Sequence, residues 1–125
     1  MQKKRRMGAL YTELLNDLSH YFQLPISATD YAQNNYWVYG LVLHDTVPFD
    51  AQVAIQKLAE YNIGARPFFW CMHEQPVFKT MGLFEQDRHP VAERLARRGF
   101  YVPSGLSLTE EQINTVAYFV RKILQ

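Results

Sequence analysis

The chain has 125 residues, 48% hydrophobic and 20% charged, with 13 Lys and Arg against 12 Asp and Glu. That is enough apolar material for one domain with one core, and it argues against wholesale disorder. A net charge of +1 sets up no global field toward nucleic acid or membrane, and no apolar run approaches the ~20 residues of a membrane-spanning helix.

The basic start, KKRR, is followed by the amphipathic GALYTELLNDL, so no signal peptide is expected. Met7, Leu10, Tyr11, Leu14, Leu15 and Leu18 recur at three- and four-residue spacing, which places them on one helix face. Lys3, Lys4, Arg5 and Arg6 stand where the helix dipole disfavours cations, and no Ser, Thr, Asp or Asn caps them. The pattern predicts a helix that starts partway through a longer element. Residues 19–35 are polar and include Pro25, so they read as a connection. Tyr36 to Leu43, YWVYGLVL, is aromatic and β-branched and reads as a strand.

A helix is expected from about Asp50 to Tyr61, with Val53, Ala54 and Leu58 inward and Asn62, Ile63 and Gly64 as its stop. Ala65 to Phe69 reads as a second strand, and Pro67 within it predicts an edge or a bend. A short helix is expected from Gln75 to Met81 with Gly82 as its cap. Another runs from Pro90 to Arg98, with proline in its first turn and Gly99 just past its end. Phe100 to Val102 makes a third strand. In the last helix Thr109 and Gln112 form a capping-box pattern, and Glu110 and Glu111 suit the positive end of the dipole. Ile113, Val116, Ala117, Val120, Ile123 and Leu124 make its apolar stripe. The fold class is α+β: a small, mostly antiparallel sheet covered by helices, its strand order left open.

Few residue patterns point to chemistry. KKRR reads as a solvated helix face, because no basic stripe continues it toward nucleic acid. His20, His44, His73 and His89 form no HxxxH or HExxH pair, and one cysteine makes no CxxC site, so no metal is expected. Cys71 cannot form an intramolecular disulfide, which fits a reducing cytoplasm, the expected compartment. No glycine-rich phosphate loop is present. The segment Ala65 to Phe78, ARPFFWCMHEQPVF, stands out. Side chains alternate across a strand, so Phe68, Phe69 and Trp70 cannot all enter one core. At least one points to solvent, a partner or a ligand. Arg66 beside them could pair with a carboxylate or phosphate. A core strand with one exposed aromatic accounts for the run equally well.

The runs NIGARPFFWCMHEQPVF and HPVAERLARRGFYVPSGLSLTEEQI carry a resemblance. Their blocks RPFFW-x-MH, PVAERLARRG followed by VPSGL, and LTEEQI stand in the order of the DegT/DnrJ/EryC1/StrS family. KKRRMGALYTELL and NNYWVYGLVL also look like family segments, so the resemblance covers essentially the whole chain. Its closest flavour is the perosamine-synthase type of pyridoxal-phosphate-dependent sugar aminotransferase. The resemblance implies the C-terminal small domain of the fold type I architecture, a single domain over 1–125. Residues 1–18 would be the interdomain-type helix and 19–125 the small domain. It implies, for a full enzyme, transfer of an amino group from glutamate to C4 of a 4-keto-6-deoxy sugar nucleotide, with pyridoxal phosphate as cofactor.

The family's Schiff-base lysine lies in a serine-rich motif of the large domain, and this chain contains no such motif. Lys3, Lys4, Lys57, Lys79 and Lys122 read as surface residues. No catalytic, cofactor-binding or metal residue is therefore assigned, and the chain alone is expected to be inactive. Cys71 stands where family members often have proline. Arg66, Phe69, Trp70 and His73 are assigned to the border of the substrate cleft. The expected partners are a large aminotransferase domain, on the same or a separate chain, or a second copy of this chain. A sugar nucleotide would bind in the assembled enzyme, and neither nucleic acid nor membrane is expected. The alternatives are half of a split enzyme and a non-catalytic interaction module that kept the fold.

Overall fold

The computed structural model describes residues 1–125 throughout. In chain order it has α1 (Gln2–Leu15), a 3-10 turn, β1 (Phe22–Gln23), β2 (Tyr39–Leu43), α2 (Ala51–Ala59) and β3 (Arg66–Pro67). A second 3-10 turn (Met72–Glu74), α3 (Pro76–Thr80), α4 (Pro90–Arg98), β4 (Gly99–Val102) and α5 (Glu110–Lys122) complete it. The sheet order is β1-β2-β4-β3, and every neighbouring pair is antiparallel. No helix is long and apolar enough to cross a membrane.

Alternation along the strands divides the molecule. Tyr39, Leu41 and Leu43 of β2 and Phe100 and Val102 of β4 enter the core. There they meet Tyr11 and Leu15 of α1, Ala54 and Leu58 of α2, and Ile113, Val116 and Val120 of α5. Gly40, Val42, Gly99 and Tyr101 fall on the opposite side of the sheet. Phe68 lies there across both glycines: a Cβ at Gly40 would come within 2.7 Å of its ring, and one at Gly99 within 2.4 Å.

Several boundaries differ from the sequence expectation, each for a physical reason. The polar connection hides β1, where Phe22 pairs with Leu43 and is fully buried. The expected strand Ala65–Phe69 contracts to Arg66–Pro67. Pro67 has no N–H to donate, Phe68 N–H donates one last bond to Gly99 O at 3.0 Å, and the chain then leaves the sheet. In α2 the inward positions are Ala51, Ala54 and Leu58, and Val53 faces outward. Asn62, with φ 60°, makes the left-handed turn after α2. α4 keeps its expected span, with Gly99 just past its end; Gly99 is extended there and opens β4 directly. The capping box of α5 is present as expected, with Thr109 and Gln112 bonding each other's backbone.

α1 has no side-chain cap and no acid in its first turn. Three of its four cations bond to the chain itself. Lys4 donates to the carbonyls of Trp37 and Ser104, Arg5 to Asn35 at 3.1 Å, and Arg6 pairs with Glu110 at 2.5 Å. The cluster ties the start of α1 to the start of α5.

Candidate functional site

A groove of about 830 Å³ opens where the chain leaves β3. Arg66, Phe69 and Trp70 line one side, Asp50 and Gln52 at the start of α2 another, and Arg97 and Tyr101 the rest. Arg98 helps to place the α2 side. Its half-buried guanidinium donates to the carbonyls of Leu43, His44, Val47 and Phe49, which fastens the β2–α2 connection. Asp50 then caps α2 by accepting from Val53 N–H at 3.0 Å.

The three successive aromatics divide their roles. Phe68 is half-buried on the glycine-lined face of the sheet. Phe69 is 76% exposed and Trp70 48% exposed. Phe69 stacks on Trp37, itself 70% exposed, with ring centroids 6.4 Å apart and planes 8° from parallel. On the far side of Phe69 a second cleft of about 320 Å³ is wholly apolar, walled by Trp37, Val38, Cys71, Ala92 and Leu95. Cys71 is buried in that wall, and burial pushes its thiol up, away from the reactive thiolate. Trp70 sits under the Arg97 guanidinium, 4.8 Å from ring centroid to carbon. Arg97 also donates to Glu74 at 2.7 Å, the main cause holding the Glu74 carboxyl below its usual range.

His73 does not join the groove. It is buried, with Nε2 2.9 Å from Glu93 Oε1 and its ring edge-on to His89 at 4.9 Å. Of the four residues assigned to the cleft border, Arg66, Phe69 and Trp70 come together in this groove, and His73 packs instead on Glu93 of α4. His73, Glu74 and Glu93 offer ligand atoms within 4.8 Å of one another. Glu74 is already bound by Arg97, and Glu93 accepts both His73 and the His89 N–H. The sequence reading missed Arg97, Asp50, Tyr101 and Trp37 as groove and cleft residues. Trp37 and Asp50 lie more than 45 residues before Arg97 and Tyr101 in the chain, and only sheet register and helix placement gather the two groups.

These features define a small α+β domain bearing an aromatic, arginine-flanked groove on the side of its sheet away from the core. Residues 1–121 match the DegT/DnrJ/EryC1/StrS aminotransferase family, and the chain belongs to that family. It is 32% identical over 114 residues to EpsN of Bacillus subtilis (strain 168), assigned by name as a pyridoxal phosphate-dependent aminotransferase. That match covers 90% of this chain and 28% of EpsN. It is 26% identical over 113 residues to GDP-perosamine synthase of Escherichia coli O157:H7, again 90% of this chain and 28% of the relative. In fold it superposes on PseC of Helicobacter pylori, an aminotransferase involved in pseudoaminic acid biosynthesis. The TM-score is 0.83 and the identity 19%, over 98% of this chain and 32% of PseC. The chain thus spans less than a third of the length of these relatives.

The family is pyridoxal-phosphate-dependent, and the residues here do not fit that group. A Schiff base needs a lysine in the site, and none of the five lysines lines the groove. Lys4 is bonded to two carbonyls. Lys57 donates to Ile123 O at 3.2 Å and lies over Phe49. Lys122 lies over Tyr61. Lys3 is exposed, as is Lys79 beside carboxylates already paired to Arg97 and His73.

Proposed function

We propose that this chain acts as the C-terminal, small-domain portion of a pyridoxal-phosphate-dependent sugar-nucleotide aminotransferase. The assembled enzyme moves an amino group from glutamate to C4 of a 4-keto-6-deoxy sugar nucleotide. One observation carries this function: the family match over residues 1–121. That none of the five lysines lines the groove supports assigning the cofactor and the proton transfers at the reacting carbon to a large domain. The contribution of this chain is to wall the substrate cleft. Arg66 offers a solvent-exposed guanidinium to an anionic group, and Phe69 and Trp70 offer apolar faces that exclude water and seat a ring. Arg97 and Glu74 fix the Trp70 ring from behind.

The test is glutamate-dependent amination of a 4-keto-6-deoxy sugar nucleotide, assayed with the chain alone and with a family large domain supplied on the same or a separate polypeptide. The chain alone is expected to be colourless and inactive, and the assembly active. Within the assembly, Arg66→Ala and Trp70→Ala are expected to raise the KM for the sugar nucleotide. Cofactor absorbance from the chain alone, lost on changing one of its own lysines, overturns the division of labour. An assembly that stays inactive favours a non-catalytic binding module.

A further inference from the structure

Beyond Cys71 the chain leaves the body of the molecule. Cys71 and His73 are the last buried residues of this stretch, and none of residues 74–92 is buried. α3 lies within it and buries no side chain. Met72, Val77, Met81, Leu83 and Phe84 are all exposed. Phe78 and Phe84 pack edge-on against each other, at 5.6 Å. What fastens the stretch to the rest is polar and falls on one face of α4, where Glu93 and Arg97 stand four residues apart. Glu93 Oε1 is 2.9 Å from His73 Nε2 and accepts the His89 N–H at 2.9 Å, while Arg97 grips Glu74 at 2.7 Å. Glu74 Oε2 is buried beside this contact and accepts no hydrogen bond. The Glu93 carboxyl is held below its usual range, first by the His89 N–H and next by His73, and Glu74 is held low by Arg97. Both acids are therefore charged at neutral pH, so Glu74 and Arg97 form an ion pair and the Glu93 carboxylate accepts charge-assisted hydrogen bonds.

We propose that residues 74–89 form a strap that opens from α4 as a unit, held shut by a latch at its two ends, Glu74 on Arg97 and the His89 N–H on Glu93. The latch also governs Trp70. Arg97 covers the Trp70 ring, and Gln75 Nε2 donates to Trp70 O at 3.3 Å. An open strap withdraws Gln75 and frees Arg97, so the Trp70 wall of the groove becomes mobile. Segments with few buried apolar contacts open locally far more often than the whole protein unfolds. The core of 22 buried residues, none of them between 66 and 99, remains intact meanwhile. The strap stands independently of the aminotransferase function, since it can be tested without sugar or cofactor.

The experiment is amide hydrogen exchange of the full chain, wild type against Glu74→Gln and Glu93→Gln. Wild-type amides of residues 77–89 are expected to exchange at least about tenfold faster than those of α5, and about tenfold faster again in either variant, with α5 unchanged. In a Trp37→Phe background, acrylamide quenching of Trp70 is expected to rise with the same variants. Should a variant fail to fold, the wild type still decides: raising NaCl to about 1 M screens an ionic latch and speeds strap exchange. Strap amides as protected as α5, or exchange indifferent to both variants and to salt, overturn the proposal.

Discussion

Gly99 shows how much one missing methyl group can determine. A Cβ there would lie 2.4 Å from the Phe68 ring and 2.5 Å from the Leu95 carbonyl oxygen, and that second neighbour is backbone. Gly99→Ala is expected to cost about 1–3 kcal/mol by overpacking, read from denaturant unfolding. Gly64→Ala is its control, because a Cβ at Gly64 meets nothing within 4 Å; it should leave the midpoint unchanged or slightly raised. The buried tyrosines set a pH limit. Tyr39 shares a hydrogen bond of 2.9 Å with Thr12, and burial pushes its hydroxyl up from 10.0 to about 12. Tyr11 is also pushed up, mainly by burial. A raised folded-state value means the unfolded chain loses its proton first. The contribution is therefore complete below the unfolded value of 10.0 and is lost as pH rises through the folded one. Unfolding midpoints are expected to fall between about pH 10 and 12, and Tyr39→Phe should flatten that fall. A midpoint equally steep in the variant assigns the alkaline limit elsewhere.

Among the elements, α5 was the most legible and is the most informative to perturb. Its capping box, its acidic first turn and its stripe are all sequence-local signals, and all are in place. Thr109→Ala is expected to cost about 1 kcal/mol through the lost cap. Ile113→Ala and Val120→Ala, both at core positions, are expected to cost about 1–4 kcal/mol each. Variants that melt like the parent would mean α5 is not docked on α1 and the sheet. The strands were less legible. β1 is two residues long, too short for alternation to register, whereas β3 falls inside the expected strand Ala65–Phe69 and on the sheet edge that Pro67 predicts. β3 exists only because β4 lies beside it. On α2, Ala54 and Leu58 are inward as expected, but apolar Val53 faces outward and small Ala51 takes the inward place. Packing against neighbours decided that, and helix periodicity alone does not see neighbours.

For the whole molecule, the consequential feature is apolar surface left without cover. Trp37, Phe69 and Trp70 share one region, continuous with an apolar cleft. A monomeric protein rarely exposes a contiguous apolar patch beyond a few hundred Å², and buried aromatics dominate interface energies. The chain is expected to associate, seen as a rise in weight-average mass with concentration in sedimentation, and Trp70→Ala should weaken it. A strictly monomeric parent at high concentration would leave these aromatics without a protein partner in isolation. By itself the sequence determined the helices, the α+β class, the family, and the need for at least one of three adjacent aromatics to point outward. Each of these depends on near neighbours: spacing along a helix, caps within four residues, alternation along a strand, or blocks in a fixed order. Tertiary structure alone decided which aromatic goes inward, that Arg97 and Asp50 reach the groove, and that His73 does not. Those outcomes depend on which strands lie side by side. Register brings Gly40 and Gly99 under Phe68, and the placement of α4 draws His73 to Glu93 and away from the groove.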